Sequence, residues 1–186
     1  KRLGLAESAQ SEITGVADEL AGRHLQFRPM GAADAEGASA LEAACFEGAG
    51  HEAWTPGMFL SELGEDVAAP RSWWVAHDDG QLLGLAGGMV VDGDVQILDV
   101  AVDPKHRREG IARKLLSHVS YDAQMLGCTT ASLEVEDGNE GAIALYASLG
   151  FTEAGCRRGY YGVGKDAIVM TAPLPLVLPV DNASPE

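Results

Sequence analysis

Cysteine is scarce in this chain: three residues in 186, at positions 45, 128 and 156, an odd set with unrelated spacings that fits neither a disulfide framework nor a zinc-ligand pattern. Reduced thiols in a cytoplasmic setting are the expectation. Long apolar stretches are missing too. The longest run of apolar residues and glycine, Leu82 to Val91, has ten residues, about half of the ~20 that a membrane-spanning helix needs. No basic segment leads into an apolar stretch and a small-residue cleavage site, so no secretory signal is expected. Basic side chains are few: 13 against 28 acidic ones, a formal net charge of -15, which disfavours the broad basic surface of a dedicated nucleic-acid binder. With 46% hydrophobic and 22% charged residues the chain has the composition of a folded domain. Its length allows one domain and little more.

The few basic residues are gathered. Lys105, Arg107, Arg108, Arg113 and Lys114 place five of the 13 within ten residues, whereas Asp34 to Asp103 holds 14 acidic residues and one basic one, Arg71. An anion-binding spot beside a cation-attracting surface would explain that asymmetry. A solvated helix start is the plain alternative for the basic island.

Hydrophobic spacing predicts a mixed α/β domain. Residues 1–24 carry no strong core pattern and read as an extension or linker. Leu25 to Arg28 reads as a strand ended by Pro29, and residues 33–46 as a helix with Ala40, Leu41, Ala44 and Cys45 inward. Thr55 and Pro56 supply an N-cap and first helical position. Strand signals at Ser72 to Ala76, Leu82 to Val91 and Val95 to Val102 are separated by Asp79-Gly80 and Asp92-Gly93, dipeptides favoured in tight hairpins, so an antiparallel meander is expected. Ile111, Leu115, Val119 and Leu126 then share one face of a helix that Gly127 ends. A strand at Thr130 to Val135, a helix from Asn139 to Leu149, and short strands from Phe151 and over Ala167 to Thr171 follow. Pro173, Pro175 and Pro179 oppose regular structure, so the domain is placed at 25–174 and a tail or linker at 175–186.

The chemistry concentrates where a strand meets a helix. Val100-Ala101-Val102-Asp103-Pro104 ends the meander, and Arg107-Arg108-Glu109-Gly110-Ile111-Ala112-Arg113 opens the next helix. Amides in a first helical turn lack intrahelical partners and carry the positive end of the dipole, so they can hold a phosphate oxygen. Gly110 and Ala112 let a phosphate approach the backbone, and Arg107, Arg108 and Arg113 would neutralise it. A second glycine-rich segment, Gly159 to Asp166, comes within one residue of a P-loop. Asp166 stands where a hydroxyl residue should bind magnesium, and a strand pattern follows instead of a helix, so that reading is rejected. Asn182-Ala183-Ser184 matches a glycosylation acceptor and is taken as incidental. His51, His77, His106 and His118 are scattered and suggest no metal site.

In combination these motifs resemble the GNAT N-acetyltransferases, and within them the RimI-like branch that acts on ribosomal-protein alanine. The resemblance spans about Leu25 to Leu174. Beyond the two segments just quoted it rests on Leu133-Glu134-Val135, Asn139, Ala142-Ile143-Ala144-Leu145-Tyr146, Leu149-Gly150-Phe151, Arg157-Arg158-x-Tyr160-Tyr161 and Asp166-Ala167-Ile168-Val169-Met170. It implies a GNAT fold: a central, mostly antiparallel sheet of about seven strands flanked by about four helices, splayed at the fourth and fifth strands. It also implies acetyl transfer from acetyl-CoA, without a metal, to an amine, commonly a protein N-terminus. Val100, Ala101 and Val102 would hold the pantetheine arm and the loop Arg107 to Arg113 the pyrophosphate. Asn139 would contact the cofactor, Glu134 would be the general base and Tyr146 the general acid. A ribosomal protein is the implied partner, and tRNA-modification proteins are possible neighbours. No direct nucleic-acid or membrane contact is expected. The branch often carries a basic residue where Glu136 stands, which bears on substrate preference.

The residues suit that chemistry. A terminal amine, with a pKa near 8, is about a tenth neutral at pH 7, whereas a lysine near 10.4 is almost wholly charged, so termini are the easier acceptors. Glu134 could take the proton and Tyr146 could protonate the leaving thiolate. Each has a plain alternative, a solvent-facing strand carboxylate and a core tyrosine, and Asn139 could equally cap its helix. Tyr160, Tyr161 and Trp54 are the candidate walls of the acceptor mouth. A GNAT acting on small amines or lysine side chains, and a weakly active interaction domain of a fused chain, are the competing functions.

Overall fold

The structure, a computed structural model, describes residues 16–20, 22–46, 53–64 and 67–177. Eight strands form one sheet in the order β1-β2-β3-β4-β5-β6-β8-β7: β1 (Val16–Leu20), β2 (Arg23–Pro29), β3 (Arg71–Asp78), β4 (Gln81–Val91), β5 (Asp94–Val102), β6 (Thr130–Glu136), β7 (Thr152–Arg157) and β8 (Ala167–Pro173). The helices are α1 (Ala35–Phe46), α2 (Pro56–Glu62), α3 (Ile111–Met125) and α4 (Glu140–Ser148). This is the expected mixed α/β plan with one strand more. The sequence pattern makes residues 1–24 an extension, yet Val16–Leu20 pairs antiparallel with β2. At the other end, Leu174 N donates to Thr129 O (2.9 Å) and Val177 N to Leu149 O (3.0 Å), and Leu176 is buried. Strand pairing thus reaches back past Leu25 and packing continues past Leu174. The sequon at Asn182, the histidine at His51 and residues 1–15 lie outside the described residues.

Local chemistry explains most elements. Asp79-Gly80 and Asp92-Gly93 turn with positive φ at both residues (47° and 82°, 51° and 82°), the geometry that matches the right-handed twist of hairpin strands. Thr55 Oγ1 accepts from Met58 N (3.3 Å) and starts α2. Gly127, at φ 86°, ends α3.

Successive residues of β3 point to opposite faces, and each face buries one helical pair. Trp74 and Ala76 lie under α3 and α4 with Ile111, Leu115, Leu116, Val119, Tyr146 and Leu149. Trp73 and Val75 lie under α1 and α2 with Ala38, Leu41 and Phe59. Leu126, expected on the inward stripe of α3, is 54% exposed because the helix has already ended there. Strand β4 is glycine-rich because both layers press on it. A Cβ at Gly87 would sit 2.2 Å from Trp73 Cε3, and one at Gly84 would sit 2.9 Å from Ile111 Cγ2.

Two features of β5 create the site. It pairs parallel with β6 only over Asp94–Gln96 against Thr130–Ser132, an end pinned by Thr130 Oγ1 and Ser132 Oγ donating to the Asp94 carboxylate. Beyond it the strands part, since β6 continues with β8 on its other side. The second feature is a bulge: Gly87 faces Asp99 and Gly88 faces Ile97, so Leu98 is the extra residue. Val95 and Ile97 therefore belong to the α3 side and Ala101 to the α1 side.

Candidate active site

The gap between β5 and β6 is a cleft of about 340 Å³ lined from both faces of the sheet. Leu98, Asp99 and Val100 form one wall and Leu133 to Glu136 the other, with Tyr146 from α4, Tyr161 from the β7–β8 loop, and Glu42 and Phe46 from α1. Trp54 closes it from the α2 side, its ring 5.2 Å from Phe59 and 5.4 Å from Trp73.

The two residues expected to perform acid-base chemistry both line this cleft. Leu133 and Val135 are buried beneath α4, so the alternation of β6 turns Glu134 to the other face. Its Oε1 lies 3.1 Å from Arg157 Nη1, and its main-chain oxygen accepts from Tyr161 OH (3.2 Å). Tyr146 is buried on α4, edge-on to Phe151 at 5.8 Å. Burial, then the Asp99 carboxyl, then Tyr161, raises its phenol pKa well above the ordinary value, so it stays protonated through the neutral range. Tyr161 is pushed up to about 12 by burial, Tyr160, Glu134 and Glu136. Tyr160 is 51% exposed and is not among the cleft's lining residues. It packs edge-on against Tyr161 at 5.0 Å, with the Arg157 guanidinium over its ring at 5.5 Å.

Strand β5 runs directly into the basic loop. Arg107 Nε donates to Val102 O (3.4 Å), as does Cys45 Sγ (3.2 Å), which places α1 against the end of the strand. Arg108 (φ 70°) and Gly110 (φ 87°) both adopt left-handed backbone, turning the chain sharply into α3. The first helical hydrogen bond runs from Lys114 N to Gly110 O (3.1 Å), so the amides of Ile111, Ala112 and Arg113 have no partner within the helix. Arg113 Nη2 donates to Ser148 Oγ (3.1 Å), and its buried Nε has no acceptor. Open amides and an unsatisfied guanidinium fit a phosphate group. Glu109 pairs with His106 at 3.5 Å, a bond that holds the loop. Asn139 caps α4, its Oδ1 accepting from Ala142 N (3.2 Å), and it also lines the cleft. No group of three or more His, Cys, Asp or Glu placed to hold a metal occurs among the described residues, and no helix among them is long and apolar enough to cross a membrane.

Sequence reasoning missed a buried acidic pair in the same cleft. Asp99 is 9% exposed and Glu42 1%. Glu42 Oε2 accepts from Trp54 N (2.9 Å), and the two carboxyls contact each other. The inward face of α1 is formed by Ala35, Ala38, Leu41 and Glu42, while the expected Ala40 and Ala44 are exposed. A charged residue at an apolar-parity position in β5, after Val95 and Ile97, was the signal to follow.

A sheet splayed between two central strands, with a helix start beyond the gap, defines a class of protein. A sequence model of the acetyltransferase (GNAT) family matches residues 36–151, and the chain belongs to this family. Among its relatives, the ribosomal protein bS18-alanine N-acetyltransferase of Escherichia coli (strain K12) is 36% identical over 124 residues, 65% of this chain and 81% of the relative. The crystal structure of the E. coli ribosomal-protein-S18-alanine N-acetyltransferase matches with a TM-score of 0.70 at 30% identity, over 84% of this chain and 97% of that one. The N-alpha-acetyltransferase RimI of Mycobacterium tuberculosis is 38% identical over 144 residues, 74% of this chain and 85% of the relative. The PaiA N-acetyltransferase of Thermoplasma acidophilum, in complex with coenzyme A, shares the fold with a TM-score of 0.68 at 16% identity, over 80% of this chain and 98% of that one.

Proposed function

We propose that this acetyltransferase moves an acetyl group from acetyl-CoA to the α-amino group of a protein N-terminus, the substrate being a ribosomal protein that begins with alanine. One observation carries the reading: a carboxylate on β6 and a buried phenol on α4 both line the gap between the splayed strands. The names of the E. coli and M. tuberculosis relatives support the substrate class. The E. coli name points to a ribosomal protein rather than to tRNA-modification proteins as partner.

In this reading Ile111, Ala112 and Arg113 amides with the Arg107, Arg108 and Arg113 side chains hold the CoA diphosphate. Val100 to Val102, which have no strand partner on the splayed side, lie along the pantetheine arm, and Asn139 borders it. Glu134 takes the proton of the ammonium. The neutral nitrogen forms a bond to the acetyl carbonyl carbon as the carbon-sulfur bond breaks, Tyr146 gives its proton to the departing sulfur, and the second proton that the nitrogen sheds as the amide forms restores the phenol, while Glu134 returns its proton to solvent. The raised phenol pKa suits a group that must arrive protonated. Burial penalises the thiolate as well, which increases the sulfur's demand for that proton.

The test is CoA release from acetyl-CoA with peptides differing only in their first residue, the acetylated atom being located by mass spectrometry. Acetylation of the α-amino group with alanine preferred is the expected result. Faster turnover of lysine side chains or small amines than of any N-terminal peptide overturns the reading.

A further inference from the structure

Four carboxyl groups line the cleft: Glu42, Asp99, Glu134 and Glu136. Two have basic partners at the rim, Arg157 on Glu134 at 3.1 Å and Lys165 on Glu136 at 3.2 Å. The other two face each other. No Lys, Arg or His is among the lining residues, and Asp99 Oδ2, in a side chain more than nine-tenths buried, has no hydrogen-bond donor among the described residues.

Two carboxyls in contact cannot both ionise, so the pair holds one proton between them and keeps one negative charge. Burial first, and then the Glu42 charge, push the Asp99 carboxyl well above the ordinary carboxylate range, which places the shared proton there. The remaining charge sits in a partly apolar setting of Phe46, Trp54 and Leu98, where a buried anion without a cation is costly. The Trp54 amide offers Glu42 a neutral donor but no charge. A primary ammonium supplies what the lining lacks: one positive charge and three donors on a single atom.

We propose that the Glu42–Asp99 pair is the seat of the substrate's ammonium group, a specificity-determining anionic site that selects cationic primary amines before Glu134 removes the proton. This rests on the reading of the cleft as the acceptor site. The bulge at Leu98 is the device that builds it. Without the extra residue Asp99 would point beneath α3 with Val95 and Ile97; with it, Asp99 meets α1. The pair is also the negative charge that Tyr146 feels, so the seat and the proposed acid belong to one electrostatic unit.

Calorimetric titration in the presence of CoA tests the seat with three probes: an alanine-first peptide, the same peptide N-acetylated, and n-butylamine. Glu42→Gln and Asp99→Asn singly each leave one carboxyl of the pair in place and are expected to weaken both free amines less than their combination does. The double variant carries none and is expected to lose at least about tenfold for both free amines, with CoA affinity unchanged and the acetylated peptide indifferent. Wild-type amine affinity in the double variant, or an equal loss for the acetylated peptide, overturns the proposal. If CoA binding reports that the double variant has not folded, Asp99→Lys replaces it. Its own ammonium against Glu42 should block both amines while CoA still binds, and free-amine binding at the wild-type level overturns the seat. Loss of butylamine binding in a protein that turns over no peptide leaves the seat standing and removes the N-terminal reading. Unchanged peptide KM in the double variant does the reverse.

Discussion

Arg157 on β7 reaches Glu134 on β6 with Nη1 3.1 Å from Oε1, so the carboxylate proposed as base is held in place by a side chain that is itself 57% exposed. An exposed partner fixes the carboxylate's direction while leaving it open to the cleft. The pair contributes little to stability, since solvent screens it.

Glu134→Gln keeps the shape and removes the proton acceptor. A fall in kcat of about 10²–10⁴-fold is expected, with acetyl-CoA affinity unchanged by calorimetry. Activity within a factor of about two of the wild type would return Glu134 to a solvent-facing strand residue and move the base elsewhere.

Tyr146→Phe is expected to lower kcat by a similar about 10²-fold and leave KM for the peptide close to that of the wild type. Because the phenol pKa is raised, Tyr146 stays protonated across an ordinary assay range. The kcat profile is therefore expected to show no descending limb from this group below about pH 10. A basic limb near pH 8 that vanishes in Tyr146→Phe would contradict the assignment.

The same two tyrosines give an alkaline stability signature. Their folded pKa values lie above the unfolded value, Tyr161 at about 12 and Tyr146 higher still. Between about pH 10, where the unfolded chain loses these protons, and the folded values, the native state binds more protons than the unfolded one. Their contribution is thus fully present below about pH 10 and is lost as pH rises through that window. Urea midpoints should fall more steeply above pH 10 in the wild type than in Tyr146→Phe, and an identical slope refutes the point.

Arg113→Ala removes the guanidinium whose buried Nε has no acceptor. Acetyl-CoA Kd is expected to rise about tenfold or more, the scale of a charge-assisted hydrogen bond to phosphate. The salt dependence of binding should weaken in step, while preference among first residues stays as in the wild type. Unchanged affinity would remove the helix start from the cofactor site.

Gly87→Ala would place a Cβ 2.2 Å from Trp73 Cε3, a contact that no rotamer of the new residue can relieve. A loss of about 3 kcal/mol or more is expected in chemical denaturation, because both layers crowd that strand. A stable variant would mean that Trp73 can swing away, visible as a shift in its fluorescence.

Much of this molecule could be read from local pattern. The hairpin turns at Asp79-Gly80 and Asp92-Gly93, the cap at Thr55, the inward stripe of Ile111, Leu115 and Val119, and the basic loop ahead of α3 each depend on residues within one or two turns of one another. Short-range sterics, capping and periodicity determine such features, and they suffice to mark a GNAT domain and the helix start proposed to hold phosphate. Contacts between distant segments escaped that reading. Strand β1 forms only because β2 offers it an edge, and Leu176 is buried only because the body of the domain is there to cover it. Above all, Glu42 and Asp99, 57 residues apart in the chain, meet because one extra residue at Leu98 reverses the parity of β5. Periodicity assigned Ala40 and Ala44 to the inward face of α1. The fold turned Glu42 inward instead, because a buried carboxyl is tolerable only where polar groups from elsewhere in the chain meet it, here the Trp54 amide and the Asp99 side chain, and no local pattern can say which segments those will be.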